Sequence, residues 1–225
     1  MTRIGVLGGT FNPIHLGHLR AAEEVAEALG LERVLLVPSA QPPHKAGGDS
    51  GPLAPAALRL AWVEAACAGN PRLAACDVEI ARGGASYTVD TLRALAERSA
   101  PARLVFIIGS DAFAELGTWR EPKQLFAIAD FAVMTRPGIP GRLSEWIPAA
   151  LRSDFELDPG GDAARHRATG GGLRAVAISA LAVSSSDIRD RVRRGRSIRY
   201  LVPDAILRDI ASSGVYATGK SERRP

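Results

Sequence analysis

Ile4-Gly5-Val6-Leu7-Gly8-Gly9-Thr10-Phe11-Asn12-Pro13-Ile14-His15-Leu16-Gly17-His18 joins an apolar run to two histidines through a glycine-rich turn, and the order of those parts decides the fold. Ile4 to Leu7 has the unbroken apolar character of a parallel strand buried on both faces. The Ala/Glu/Leu-rich run from Leu19 to Leu29 reads as a helix. A strand that passes into a helix across glycines is the building unit of an α/β sheet, and its backbone can approach a ligand closely. The first free N–H groups of such a helix face the same space and favour an anion. Two imidazoles three residues apart at the helix start, His15 and His18, can point into one anion site.

A glycine-rich strand-to-helix turn also occurs in proteins that bind nothing there, and a lone histidine in it is ordinarily packed or solvated. The pair, with Gly17 between, argues for chemistry. The stretch is neither a Gly-x-Gly-x-x-Gly dinucleotide fingerprint nor a Gly-x-x-x-x-Gly-Lys-Ser/Thr loop, so neither a Rossmann dehydrogenase nor a P-loop NTPase follows. With 225 residues, 46% of them hydrophobic, the chain can bury a sizeable core as one α/β domain. It contains no run of about 18 apolar residues, the length a membrane helix needs, and Met1-Thr2-Arg3 leads directly into a strand, so a cytoplasmic protein without membrane span or signal peptide is expected. Cys67 and Cys76 lack metal-ligand spacing and sit among small or apolar residues, as reduced, buried thiols do. From Arg189 onward ten Lys/Arg stand against four Asp/Glu, which concentrates the +4 formal charge at the C-terminal end. A solvated helix face or a polyphosphate site accounts for that as readily as nucleic acid does, and the aromatics, 5% of the chain, do not interleave with the arginines.

Outward from the opening stretch, strands and helices alternate. Val34 to Val37, Leu104 to Ile108, Phe131 to Met134 and Ala175 to Ile178 add four strands, and Ala56 to Ala68 is a helix, which predicts five parallel strands with helices on both faces. Ligands of such sheets lie beyond the carboxyl ends of the strands, and the polar residues of interest stand there. After the second strand, Pro38-Ser39-Ala40-Gln41-Pro42-Pro43-His44-Lys45 is an extended loop whose lysine suits phosphate, and the Gly/Pro-rich Ala46 to Ala57 is a candidate flap. After the third come Gly109-Ser110-Asp111, whose aspartate can cap a helix or bind a ribose, and then Trp119 and Arg120 in a turn. Trp119 off any clear apolar face reads as a stacking surface. Arg136 follows the fourth strand and suits a carboxylate or phosphate. Ser184-Ser185-Ser186-Asp187-Ile188-Arg189 follows the fifth, a helix cap that can also hold polyphosphate. Gly160 to Gly172, with His166 expected to be exposed, reads as a mobile connection without chemistry.

Together these stations resemble bacterial nicotinate-nucleotide adenylyltransferases of the nucleotidylyltransferase superfamily. The opening stretch matches Gly-Gly-x-Phe-x-Pro-x-His-x-Gly-His, which alone specifies only the superfamily. Ser86-Tyr87-Thr88-Val89-Asp90-Thr91-Leu92 and Gly109-Ser110-Asp111 with Trp119 narrow the match. Pro42 to Lys45, Arg136-Pro137-Gly138, the Ser-Ser-Ser-x-Ile-Arg motif, Ser197 to Pro203 and Gly214-Val215-Tyr216 extend it over residues 4 to 216. The resemblance implies a Rossmann-like doubly wound parallel sheet over 1–216, a small C-terminal helical portion at 183–216 and a disordered tail at 217–225. It implies transfer of AMP from ATP to nicotinate mononucleotide, with Mg²⁺ carried on the ATP phosphates and no nucleic-acid or membrane partner; whether the chain works as a monomer or a homo-oligomer stays open. By the same resemblance, catalysis falls to His15, His18, Lys45 and Arg189. ATP is held by Gly8, Gly9, Thr10, Phe11, His15, His18, Gly109, Asp111, Ser184, Ser185, Ser186, Ile188 and Arg189. Lys45, Ser86, Tyr87, Thr88, Trp119 and Arg136 hold the mononucleotide, its ring on Trp119 and its carboxylate on main-chain N–H groups near Tyr87 and Thr88. Asn12 stands where many superfamily members have Asp, Ser186 where Thr is frequent, and Ala40 where some have an amide side chain. The rival readings are another nucleotidylyltransferase such as phosphopantetheine adenylyltransferase, an amide-preferring mononucleotide enzyme, and a nucleic-acid-binding module.

Overall fold

The computed structural model describes residues 1–42, 52–135 and 142–217. Among them lie strands β1 (Arg3–Gly9), β2 (Arg33–Pro38), β3 (Leu73–Ala75), β4 (Arg103–Gly109), β5 (Ala129–Thr135), β6 (Phe155–Leu157), β7 (Ala163–His166) and β8 (Gly172–Ala177). They form one sheet in the order β3-β2-β1-β4-β5-β8-β7-β6, parallel from β3 to β8 and antiparallel at the β6 and β7 edge. The chain runs outward from β1 in both directions, so β1 and β4 flank the point where strand order reverses, and a crevice opens beyond their carboxyl ends.

Helices α1 (Leu16–Leu29), α2 (Ala56–Cys67), α3 (Val78–Arg82), α4 (Thr88–Ser99), α5 (Ser110–Ala114), α6 (Pro122–Ile128), α7 (Leu143–Trp146), α8 (Ser185–Arg193) and α9 (Asp204–Ser212) cover the two faces. Along β4, Val105 and Ile107 turn to a core shared with α1, α2, α8 and α9, while Leu104, Phe106 and Ile108 turn to one shared with α4, α6 and α7. Both sets are buried, which is why the strand reads as a continuous apolar run.

Three strands go beyond the five expected. β3 is only three residues long, too short for a pattern. β6 and β7 correct the reading of Gly160 to Gly172 as a mobile connection: β7 pairs antiparallel with both β6 and β8, and His166, expected to be exposed, is 4% exposed. Its ring stacks on Phe126 with centroids 5.3 Å apart and meets Phe155 edge-on at 5.2 Å. The glycines here serve close approach. A Cβ on Gly171 would lie 2.2 Å from the Phe126 carbonyl oxygen, so only glycine lets the hairpin seat on α6.

Candidate functional site

A cleft of about 670 Å³ opens at the carboxyl ends of β1 and β4. His15, Gly17 and His18 line it from the start of α1, Gly109, Ser110 and Asp111 from the end of β4, and Ser184, Ser185 and Ser186 from the start of α8. Met134, Ile178 and the segment from Ala180 to Val183 complete the wall, positions the sequence reading did not single out. Three stations separated by some 90 and 170 residues in sequence thus face one space.

The histidine pair is built into the helix start. His15 is the N-cap of α1, with extended backbone, and His18 is the third residue of the helix. The His15 N–H donates to His18 Nδ1 at 3.3 Å, an imidazole standing where a capping box usually has Glu or Gln. With Nδ1 accepting that bond, Nε2 is the ring nitrogen left to carry the N–H. The two rings stack at 3.6 Å, and Phe11 packs edge-on to His18 at 5.0 Å from a left-handed backbone position, φ 45°. Such a conformation is costly for a phenylalanine and recurs at functional sites. His15 is buried; burial brings it down to about 4, so it is neutral at pH 7, and its Nδ1 has no hydrogen-bond partner among the described residues. Gly17 has no room for a side chain: a Cβ would lie 2.9 Å from Val183 Cγ1 and 3.1 Å from His15 Cε1 and Nδ1.

Helix α8 grips the opening loop from the other side. Ser184 caps α8, its Oγ accepting from the Asp187 N–H at 3.1 Å. Ser185 Oγ donates to the Pro13 carbonyl at 2.9 Å and Arg189 Nη1 to the Asn12 carbonyl at 2.9 Å. Ile188 is fully buried in the core, where it anchors the helix, and does not line the cleft. Asp111 is exposed at the cleft, and the N-cap of α5 is Gly109, without a side-chain cap bond, so the capping alternative for Asp111 is not the one observed.

At the end of β2, Ser86 Oγ accepts from the Ala40 and Gln41 N–H groups at 2.9 and 3.3 Å, fastening the segment before α4 to that strand. Tyr87 is the N-cap of α4 and Thr88 its first residue. Trp119 is half-buried, with its ring edge-on to Phe106 at 6.3 Å, and the next residue, Arg120, lies over the Tyr87 ring, so the Tyr87 and Trp119 segments meet. Lys45, with Pro43 and His44, and Arg136, with Pro137 and Gly138, lie outside the described residues, as does the first half of the proposed flap, residues 46–51.

Two buried hubs gain a role only in the structure: Arg59, which the sequence reading passed over, and Asn12, which it noted without partners. Arg59, 1% exposed, donates to the carbonyls of Ala54 at 2.9 Å, Thr10 at 2.7 Å, Ser39 at 2.6 Å and Ala40 at 3.4 Å, tying the ends of β1 and β2 to α2. Its one trace in the sequence is that it is the sole basic residue in an apolar helix. Asn12 accepts from the Tyr216 hydroxyl at 2.6 Å and the Ala54 N–H at 3.0 Å, and donates to the Pro52 carbonyl at 3.0 Å. An aspartate could not make that donation, which accounts for the amide here. Burial raises the Tyr216 hydroxyl well above its ordinary value, so it stays a donor. Among the described residues no group of three or more His, Cys, Asp or Glu could hold a metal ion, and no helix is long and apolar enough to cross a membrane.

Residues 6–191 match the family model of cytidylyltransferase-like proteins. A Trichlorobacter lovleyi protein named "Probable nicotinate-nucleotide adenylyltransferase" is 46% identical over 217 residues, covering 95% of this chain and 99% of the relative. One of the same name from Symbiobacterium thermophilum is 42% identical over 221 residues, 98% of each chain. Among solved structures, Plasmodium falciparum nicotinic acid mononucleotide adenylyltransferase complexed with NaAD superposes with a TM-score of 0.68 at 16% identity, over 96% of this chain and 98% of the other. At that identity the likeness speaks for the Rossmann-like fold.

Proposed function

Because the chain belongs to the cytidylyltransferase-like family, and within it to the nicotinate-nucleotide adenylyltransferases, we propose that the cleft between β1, β4 and α8 holds ATP for transfer of its AMP to nicotinate mononucleotide. The protein is a nucleotidyltransferase of NAD biosynthesis, and its products are nicotinate adenine dinucleotide and pyrophosphate. The observation that carries the site reading is the convergence of His15 and His18, Gly109 and Asp111, and the three serines on one cleft.

In the reaction, a 5′-phosphate oxygen of the mononucleotide attacks the α-phosphorus of ATP in line. The new P–O bond forms as the bond from the α-phosphorus to the bridging oxygen breaks, and the electron pair leaves with pyrophosphate. No protein nucleophile is required, so catalysis rests on positioning and on donors aimed at developing charge. His18 Nε2–H meets an α-phosphate oxygen, while the neutral, buried His15 holds the His18 ring through their 3.6 Å stack. Gly8, Gly9, Thr10 and Phe11 bring the opening backbone to the triphosphate. Ser184, Ser185, Ser186 and the first turn of α8 supply hydroxyls and N–H groups, with Ile188 as their anchor and Arg189 as the cation beside them. Gly109 and Asp111 take the adenosine ribose. Lys45 bridges phosphates of both substrates, Arg136 meets the mononucleotide, its ring stacks on Trp119, and its carboxylate is met by main-chain N–H groups at Ser86, Tyr87 and Thr88. Enzymes of this kind use a divalent metal with ATP; Mg²⁺ enters on the triphosphate as part of the substrate and screens the departing charge. Both substrates are solutes of the cytoplasm, where the enzyme works without nucleic acid or membrane.

Pyrophosphate release measured with ATP, Mg²⁺ and a panel of acceptors tests the proposal. Release should be greatest with nicotinate mononucleotide and fall by about 10²- to 10³-fold in His18→Ala, as for loss of a transition-state donor. Preference for the amide mononucleotide or for phosphopantetheine would refute the substrate reading, and near-normal turnover of His18→Ala the role of that ring.

A further inference from the structure

The turn after Trp119 carries a cation that the transfer chemistry leaves unused. The Arg120 guanidinium carbon stands 4.9 Å from the centroid of the Tyr87 ring, over the residue that caps α4. Its Nη1 lies 3.4 Å from Asp90 Oδ2, in the first turn of that helix, and its Nε 3.7 Å from Glu121 Oε1. Glu121 has a nearer partner in Arg93, 2.6 Å away, whose hydrogen bond holds the Glu121 carboxyl below its ordinary range. Arg93 reaches Asp90 only at 3.7 Å. Arg120 is therefore the nearer of the two cations against Asp90, and the one placed over the ring at the start of α4.

Resting on the reading of Tyr87 and Trp119 as the pyridine side, we infer that Arg120 is a specificity-determining residue that favours an anionic ring substituent. Asp90 sits three residues past the Tyr87 cap, where its carboxylate would repel a nicotinate carboxylate approaching the same N–H groups. Arg120 cancels that charge. A guanidinium can do so from its place over the Tyr87 ring. A neutral carboxamide would be nearly indifferent to the pair, so the cation acts on the difference between acid and amide and not on mononucleotide binding in general.

Because Arg120 is half-exposed, the effect is that of a partly screened pair, about fivefold in the ratio of kcat/KM for nicotinate over nicotinamide mononucleotide. The test measures that ratio in the wild type, Arg120→Gln, Asp90→Asn and the double variant. Arg120→Gln should lower it about fivefold with the KM for ATP unchanged, and adding Asp90→Asn should restore it, because the repelling charge is then gone. High salt should narrow the gap between wild type and Arg120→Gln. An unchanged ratio in Arg120→Gln, an equal loss on both mononucleotides, or a double variant no better than Arg120→Gln would overturn the inference. Failure of the underlying reading looks different: the wild type would release no pyrophosphate with nicotinate mononucleotide, or Trp119→Ala would leave the KM of both mononucleotides untouched.

Discussion

Replacing Gly17 by alanine separates the packing of the histidine pair from the stability of the helix that carries it. The glycine is not at positive φ, so no backbone conformation demands it. The obstacle is space: the new methyl would stand 2.9 Å from Val183 Cγ1 and 3.1 Å from the His15 ring, each several tenths of an ångström inside a normal contact. Relief requires Val183 to retreat, moving the loop that walls the cleft, or His15 to turn, disturbing its 3.6 Å stack on His18. Overpacking costs about 1–3 kcal/mol, while alanine in place of glycine in a helix returns up to about 1 kcal/mol. Net destabilisation is then about 1 kcal/mol, or about 2–4 °C in Tm for a chain of this size. A shift of a few tenths of an ångström at the ring proposed to meet the α-phosphate should cost about 10- to 100-fold in kcat, given the sensitivity of positioned reactions to misplacement. Calorimetry and a continuous pyrophosphate assay on the same preparation read the two effects. Turnover within twofold of wild type would refute the packing argument, and a Tm drop above about 10 °C would show that the glycine serves the fold rather than the histidines.

Burial keeps His15 near 4, against about 6.5 for an exposed imidazole, so between those values the unfolded chain takes up a proton that the folded chain refuses; stability should fall by about 3 kcal/mol as pH drops from about 6.5 towards 4, and His15→Gln should flatten that acid limb in urea titrations, identical limbs counting against it. Arg59→Met strips four carbonyls of their shared donor and should destabilise by about 3–5 kcal/mol, lowering Tm by roughly 10 °C or more; a Tm within about 2 °C of wild type would mean that those carbonyls find other partners. Trp119→Ala should raise the KM for nicotinate mononucleotide by roughly 10-fold or more, as loss of an aromatic stack does, and spare that for ATP; steady-state kinetics with each substrate varied decides it.

What could be read from the sequence divides by the range of the interaction that makes it. β1, β2, β4 and β5 are visible because a strand buried on both faces has to be apolar at every position, as Leu104 to Ile108 is. β7 is not, because only one of its faces is covered: Ala164 and His166 turn inward and Arg165 outward, and a histidine held by Phe126 and Phe155 looks polar until those rings are placed against it. The cleft follows the same division. His15, Gly17 and His18 act on one another within a single helical turn, so their spacing is the geometry, and the motif can be read without knowing the rest of the chain.

Arg59 and Tyr216 act across the fold. Arg59 addresses backbone carbonyls, which every residue has, so nothing in the identity of Thr10, Ser39 or Ala54 marks them as its partners. Tyr216 reaches Asn12 over 204 residues, and the matched Gly-Val-Tyr gains a purpose only when that hydroxyl is seen on the Asn12 amide. Arg120 stands between the two cases: its neighbour Trp119 drew notice, but its own meaning depends on Tyr87 and Asp90, some thirty residues earlier. The histidine pair is local and legible, whereas the cleft it faces is assembled by the sheet from stations some 90 and 170 residues away. A motif common to a whole superfamily can therefore be read from its spacing alone, while the contacts of Arg120 with Tyr87 and Asp90 exist only once the chain is folded.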